Sequence, residues 1–550
     1  MTRTKITHTL SIVTITVFLA LCARTWTGLD TPDSSFYTSL ALFGDQVTDR
    51  APFDSYYWTR LGYIAPLHAL YSITGPEIGF FIYRFALIAI SVTSIYSILH
   101  KLTRTSIPTR IFLTTAVASS TVILSYLGNP YLTGFILAVT TAVIALALHK
   151  SITATILGGV AIGWSAQVNP AGAILVGTLW FAVSLFTNKK FVHYLVAGIA
   201  SVYTFVLFIW IGTQIFPGLN WFDTFNSTRE INLSDFASSD LVWLRDISLL
   251  VPFAILIVSI KAWWSRRAND PYRLALILSS VSITFILVFS PLMGGIPLEA
   301  PMYQSMLWPP AMIAMALVFS QRVSPQSNGS ESKTATGRHL VSLLGVAAVI
   351  AAGFTQPTLT FTAGLIITLG VVALSMINKS HLSSLMIFIA ILTSFQLLQN
   401  SRTDLGLYYL SPYSWAFETN PIEEKITTAI EVQQWLLQNT TNQDQILTWV
   451  DGSWTQGDRE LYAVAAMQLW GENRFTLEPV VDDYATSILE RTNPTVIALY
   501  GPTQTGIDAM HSTIPGVGPL TCIEFSWPPA SNTNFPVDSG LACLAKLSLP

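Results

Sequence analysis

Long apolar runs alternate with short polar interruptions along most of this chain, and each run is about as long as a helix that crosses a bilayer. A hydrocarbon core of roughly 30 Å needs about 20 apolar residues in helical form. Taken in order, the runs predict spans near residues 9–25, 78–99, 111–127, 131–148, 152–168, 171–187, 192–216, 246–263, 273–291, 303–320, 340–355, 358–377 and 382–399. That gives about 13 transmembrane helices, the fold class of an α-helical polytopic membrane protein. The first run follows Arg3 and Lys5 as a signal peptide would, but Leu19-Ala20-Leu21 before Cys22 is a poor cleavage site, so the helix is read as uncleaved. The tightest turns are at Asn169-Pro170 and Gln356-Pro357.

Four stretches break the pattern: 26–77, 217–245, a Ser/Gly/Lys/Thr-rich linker at 321–339 read as disordered, and 400–550. Within 26–77, Ser34–Phe43 and Tyr56–Thr74 carry aromatic and apolar residues at a spacing that suits helices lying along a membrane surface, with Pro66 expected to bend or interrupt the second. Residues 1–399 are thus a membrane domain, and 400–550 a small α/β domain. In the latter the pattern predicts helices over Ile422–Gln438 and Arg459–Trp470 and strands over Gln445–Val450, Thr495–Tyr500 and Thr521–Phe525.

Charge adds the orientation. With the N-terminus inside, the inner segments hold Arg3, Lys5, Lys101, Arg104, Arg110, Lys150, Lys189, Lys190, Lys261, Arg266, Arg267, Arg273, Arg322, Lys333, Arg338 and Lys379 against only Asp270 and Glu331. The outer loops before residue 400 hold Arg50, Arg60, Arg229 and Arg245 against about a dozen acids, as the positive-inside rule requires. The expected protein is therefore a multi-pass plasma-membrane protein, N-terminus cytoplasmic and C-terminal domain extracytoplasmic. Composition agrees: 51% of residues are hydrophobic and 11% charged, where soluble domains carry about 25%. Of three cysteines, Cys522 and Cys543 share the outer domain, which suits a disulfide in an oxidising compartment, although two unrelated buried thiols fit as well.

Candidate chemistry gathers where the chain emerges from its first helix. Asp30 and Asp33 precede the aromatic run that contains Tyr37. Arg60 follows the interfacial Trp58, and Arg84 lies about two turns into a span, where a charge is costly and usually functional. Glu299 sits in another outer loop. Each has a plainer reading: Asp33 as an N-cap, Asp30 as a solvated acid, Tyr37 and His68 as packing, Arg60 as a snorkelling side chain, Arg84 as a strut to a loop Asp. The acids Asp223, Glu230, Asp235 and Asp240 are read as solvated, with one able to supply a metal ligand. Neither a Cys/His cluster, a phosphate-cradling Gly loop nor a basic nucleic-acid patch occurs.

Pro32-Asp33-Ser34-Ser35-Phe36-Tyr37 resembles the Pro-Asp-Glu-x-x-Tyr motif that follows the first helix in the GT-C class of polytopic glycosyltransferases, in the group that adds aminoarabinose to lipid A or mannose to proteins. Trp58-Thr59-Arg60-Leu61 running on to Ile73-Thr74-Gly75, the Gly-rich span from Gly158 to Pro170, and Tyr303-Gln-Ser-Met-Leu-Trp-Pro-Pro310 are similar to further family segments. The resemblance implies transfer of a sugar from a polyprenyl-phosphate donor to an extracytoplasmic glycan, lipid or protein acceptor. Asp33 would be the general base, with Arg60, Arg84, Tyr37, Asp30 and Glu299 contacting substrate. Ser34 and Asn129 stand where the family often has acids, which leaves a divalent metal open. These departures also keep a catalytically inactive scaffold in play. A transporter or flippase is the reading from another class, and it is opposed by the near isolation of Arg84 as a charge inside the bilayer.

Overall fold

The computed structural model describes residues 3–22, 37, 40, 41, 56–118, 123, 127, 131–216, 218–226, 260, 270–292, 305–323, 432, 435, 436, 438–441, 443–449, 494–500, 504–514, 516–526 and 539–548. In chain order the helices are α1 (Arg3–Cys22), α2 (Leu61–Thr74), α3 (Pro76–Leu102), α4 (Ile107–Ala118), α5 (Leu132–Leu148), α6 (Ile152–Ala166), α7 (Pro170–Phe186), α8 (Phe191–Ile215), α9 (Asp270–Leu292) and α10 (Trp308–Val323). The expected spans near 246–263, 340–355, 358–377 and 382–399 lie outside the described residues. Each of the others falls on a helix; α4 begins a few residues earlier than expected, residues 119–122 lie outside the described residues, and 123 and 127 are helical.

Short turns separate the middle helices because their ends are capped locally. The Ser151 Oγ accepts from the Ala154 N–H at the start of α6. At the start of α7 the Asn169 side chain accepts from the Gly172 N–H, and Pro170 takes the first helical position, where its missing N–H costs nothing. The reversal between α2 and α3 needs a left-handed residue, and Gly75, at φ 81°, supplies it just before Pro76.

Apolar all round, α5 and α8 occupy opposite environments. In α5, residues on every side are buried, from Leu132 round to Leu148, with α3, α6, α7 and α10 packed about it. In α8 the buried residues are Ala197, Thr204, Phe208 and Gly212, a single stripe, while Ile199, Val202, Tyr203, Val206 and Trp210 are exposed. Such a face has no place in water but is at home in lipid. Among the described residues, α8 and Ile78–Leu102 of α3 are long and apolar enough to cross a membrane. Hydroxyls on the apolar helices bond back to the preceding turn, as Ser165 does to the Ala161 carbonyl and Thr204 to Ala200.

Where α6 meets α8, glycine sets the distance. A Cβ on Gly159 or Gly163 would run into the α8 backbone at the Ala197 and Ser201 carbonyls, so the Gly159-x-x-x-Gly163 pair lets the two helices approach closely. The C-terminal region forms a sheet in the order β1-β2-β4-β3: β1 (Ile446–Trp449) parallel to β2 (Val496–Tyr500), with β4 (Ser539–Lys546) antiparallel to both β2 and β3 (Thr521–Ser526). Both faces are covered. Helix α11 (Gln504–Thr513) and the residue after it set Ile507, Met510 and Ile514 against Leu447, Leu499 and Cys543; Val432 and Leu436 pack on Ile446, Ala498 and Leu544. Of the expected elements here, the three strands are present, residues 432, 435, 436 and 438 are helical, and Arg459–Trp470 lies outside the described residues. Helix α11 and strand β4 were not expected. Cys522 and Cys543 stand opposite each other on β3 and β4 and are joined by a disulfide.

Two outcomes test these contacts. Gly163→Leu should lower the thermal stability of the detergent-solubilised protein by about 1–3 kcal/mol or prevent folding, while Gly198→Leu, whose added Cβ meets nothing within 4 Å, should leave it unchanged. Thiol alkylation of the denatured, unreduced protein should modify Cys22 alone, and all three cysteines after reduction; removing the bridge with Cys543→Ser should cost about 3 kcal/mol of sheet stability.

Candidate active site

Helix α2 positions everything at this end of the molecule, and a proline decides how it is held. Pro66 has no N–H for the carbonyl of Gly62, one turn earlier. The indole of Trp164, on α6, donates to that carbonyl at 2.6 Å. On the other side of the same residue, the Gly62 N–H donates to the Gln167 carbonyl at 3.0 Å, and the Gln167 amide donates to the Phe205 carbonyl of α8. Pro66 does not interrupt the helix: α2 runs on through it to Thr74, with the Trp164 indole on the carbonyl that Pro66 leaves free. One side of α2 is packed inward on Leu61, Tyr63, Ile64, Leu67 and Tyr71.

Two tyrosines of α2 meet a third from α3. The rings of Tyr63 and Tyr83 are edge to face at 5.8 Å, and Gly79 of α3 packs against Tyr71. The two helices thus run antiparallel, with Tyr63 level with Tyr83. Tyr63, Tyr71 and Tyr83 are buried, and none of their hydroxyls finds a hydrogen-bond partner within the described structure. Burial first, then the neighbouring phenols Tyr83, Tyr71 and Tyr37, pushes the Tyr63 hydroxyl well above the usual phenol range, and burial does the same for Tyr71. Both are protonated donors at neutral pH.

Of the residues singled out from the sequence, Tyr37 is fully buried, its ring 5.7 Å from that of Tyr63 and 6.1 Å from Tyr131. His68 of α2 donates from Nδ1 to the Ala41 carbonyl at 2.8 Å, which ties Ala41 to α2 and gives His68 a structural part. Arg60 is the residue before α2 and makes no side-chain cap bond; its carbonyl accepts from the Tyr63 and Ile64 N–H groups. Arg84 is buried on α3 beside the Phe81 ring, whose centroid is 5.5 Å from the guanidinium carbon. Because Tyr63 is level with Tyr83, Arg84 stands opposite the first turn of α2, about one helical turn along the axis from Arg60. The structure therefore brings Tyr37, Arg60 and Arg84 to one end of the α2–α3 hairpin. Asp30, Asp33, Glu299, Ser34, Asn129, Glu230, Asp235 and Asp240 lie outside the described residues.

The residues that follow α8 pack over the same end. Phe216, at the end of α8, lies 5.0 Å from Trp58 and 6.1 Å from His68, and the Trp221 indole donates to the Thr59 carbonyl at 3.5 Å. Asp223 accepts from the Asn220 amide. Sequence reasoning treated the tyrosines of 56–74 as an interfacial belt and passed over Tyr83. The available signal was that Tyr63 and Tyr71, eight residues apart, fall on one helical face.

What the described residues place along the α2–α3 hairpin is a set of donors: Arg60 and Arg84 at one end, and the buried phenols of Tyr63, Tyr83 and Tyr71 from there towards the turn. Such a set suits ligand oxygens that only accept, as in phosphate, or that accept as well as donate, as in sugars.

No protein-family model and no curated protein matches the sequence. Among solved structures, ArnT from Cupriavidus metallidurans bound to undecaprenyl phosphate superposes with a TM-score of 0.60 at 13% identity, covering 98% of this chain and 97% of that one. The same protein in its apo state gives 0.56 at 14% identity over the same shares. The apo oligosaccharyltransferase of Archaeoglobus fulgidus aligns at 0.37, too low to bear on the fold. The likeness to ArnT runs the length of both chains, and this protein has an ArnT-like fold.

Proposed function

We propose that this protein is an integral-membrane glycosyltransferase that moves a sugar from a polyprenyl-phosphate donor to an extracytoplasmic acceptor, a cell-envelope glycan, lipid or protein. The observation that carries the reading is the donor set of Arg60, Arg84 and the dry phenols, in a fold shared with a protein whose structure holds undecaprenyl phosphate. The count of inner and outer charges supports an extracytoplasmic site, and so does the Cys522–Cys543 disulfide.

In this reading the reaction is an inverting displacement. The acceptor hydroxyl oxygen bonds to the anomeric carbon as the bond from that carbon to the phosphate oxygen breaks. The proton of the hydroxyl passes to the Asp33 carboxylate, and the electron pair leaves on the polyprenyl phosphate. Covalent continuity keeps the Cα of Asp33 within about 14 Å of that of Tyr37, four residues on, whose ring touches Tyr63. Arg60 and Arg84 meet the charge that grows on the leaving phosphate. The amides of the first turn of α2 are of little use for this, since Gly62, Tyr63 and Ile64 already donate to carbonyls. The side chains must do it. Tyr63, Tyr71 and Tyr83 offer hydroxyls to the oxygens of the sugar. Ser34 and Asn129 are neutral where the family often has acids, so Asp33 acts as a lone base.

Release of polyprenyl phosphate from labelled lipid-linked sugars, with a panel of acceptors, is the measurement. Asp33→Asn should lower turnover about 10²–10⁴-fold, the usual contribution of a general base, while Asp30→Asn has little effect. Equal turnover by wild type and Asp33→Asn would remove Asp33 as the base. In the same assay Arg84→Met and Arg60→Met should each lower kcat by about 10²–10³-fold, as for loss of a group that stabilises developing negative charge. A change confined to KM would place the arginine in ground-state binding instead.

A further inference from the structure

The turn between α7 and α8 holds four hydrogen-bond donors that donate to nothing in the described structure. After Asn188, whose φ of 52° turns the chain back, Lys189 folds along α7 so that its ammonium lies 5.2 Å from the centroid of the Trp180 ring. Tyr194, on the first turn of α8, packs edge-on against the same ring at 5.7 Å. Ser184 is one turn beyond Trp180, and its carbonyl accepts from the Lys189 N–H at 3.1 Å. The Lys189 Nζ, the Trp180 Nε1, the Ser184 Oγ and the Tyr194 hydroxyl are all buried, and none has a hydrogen-bond partner. Lys189 as a whole is 8% exposed. A buried ammonium without an acceptor is among the costliest groups a protein can hold.

The neighbourhood does not supply the missing charge. Lys101, at the end of α3, donates to the Leu148 carbonyl at 2.6 Å, and Thr187 donates to the adjacent Ala147 carbonyl, which draws the ends of α3, α5 and α7 together. Burial, then the charge of Lys101, pulls the Lys189 ammonium down to about 8. Asp270, at the start of α9, lies 3.9 Å from Arg273, which itself sits over Phe186.

We propose that the α7–α8 turn is a binding site for a phosphoryl oxyanion of the kind carried by lipid headgroups. Phosphate oxygens are acceptors only, so one group can accept from the Lys189 ammonium and from the hydroxyls of Ser184 and Tyr194 beside it, while the Trp180 indole nitrogen is packed against Gly158 of α6. Basic pockets between transmembrane helices are established hosts for anionic headgroups. The site is separate from the candidate active site: the 17 residues of α7 hold Lys189 about 25 Å from the Gln167 junction with α2. It does not depend on the glycosyltransferase reading.

Native mass spectrometry of the intact, detergent-purified protein tests it, with phosphatidylglycerol, phosphatidylcholine or inorganic phosphate added in turn. Wild type should retain phosphatidylglycerol in preference to phosphatidylcholine, and Lys189→Met should bind it at least about tenfold more weakly. Tyr194→Phe and Ser184→Ala each remove one hydroxyl and leave the packing in place. They should weaken retention in the same direction, so the test holds if Lys189→Met does not fold. Competition by inorganic phosphate at millimolar concentration would assign the site to free phosphate rather than to a headgroup. Retention of phosphatidylglycerol unchanged in Tyr194→Phe and Ser184→Ala, with no phosphate adduct on wild type, would overturn the proposal.

Discussion

The carbonyl of Gly62 that Pro66 leaves without a donor is the point on which the candidate site rests. A proline inside a helix costs about 3 kcal/mol, part of it the orphaned carbonyl. A buried carbonyl left unmet costs about 1–3 kcal/mol. The Trp164 indole supplies the missing donor, and it does so from a different helix. The proline thus turns a bond internal to α2 into a bond between α2 and α6. An uninterrupted helix would spend every interior carbonyl on itself and have none to give Trp164. Gly62 completes the clamp, since a Cβ there would sit 3.0 Å from the side chains of Trp164 and Gln167. Tyr63, one residue on, is then fixed in rotation about the α2 axis and faces Tyr83.

How much of this was legible depends on what lipid hides. The positions of the helices were open to reading, because apolar runs of bilayer length are rare outside membrane proteins. Which helix lies at the centre was not. Lipid and protein interior are equally apolar, so α5, buried all round, and α8, buried on one stripe, leave the same hydrophobic mark. Gly159 and Gly163, small residues four apart, mark a close contact with α8, but in the sequence they stood out only as part of a Gly-rich span. In the sheet, β4 escaped notice for a related reason. Leu541, Cys543 and Ala545 face one layer, and Ala542 and Leu544 the other, so the strand has no alternation, and its Ala and Leu suit a helix as well.

The site itself was legible in its charges and not in its phenols. Arg84 stood out because a cation within a span is costly, and the structure finds it buried, on the turn that faces the start of α2. Tyr63 and Tyr71 carried a false signal. Tyrosine at a membrane surface and tyrosine in a dry pocket look alike in one dimension, and only the partner helix distinguishes them. Pro66 misled in the same way: its effect depends on whether a donor reaches the freed carbonyl, and Trp164 is about a hundred residues away in sequence.

The two ends of the bundle meet charge differently, and the difference follows from their chemistry. At the Arg60 end the cations are guanidinium groups, which keep their charge when partly buried and can grip two oxygens at once. At the opposite end the cations are lysines beside the carbonyl-bearing ends of α3, α5 and α7, where Lys101 satisfies a terminal carbonyl and the helix dipoles favour positive charge. Lys189 is the exception there, because it turns away from the helix ends and inward over Trp180. Its position matters for α8, which is held to the bundle by one buried stripe and carries lipid on its other sides. An oxyanion shared by Lys189, Ser184 and Tyr194 would link the α7–α8 turn, α7 and α8 through a single group, adding a polar tie to the glycine contact with α6 and the Gln167–Phe205 and Thr155–His193 bonds.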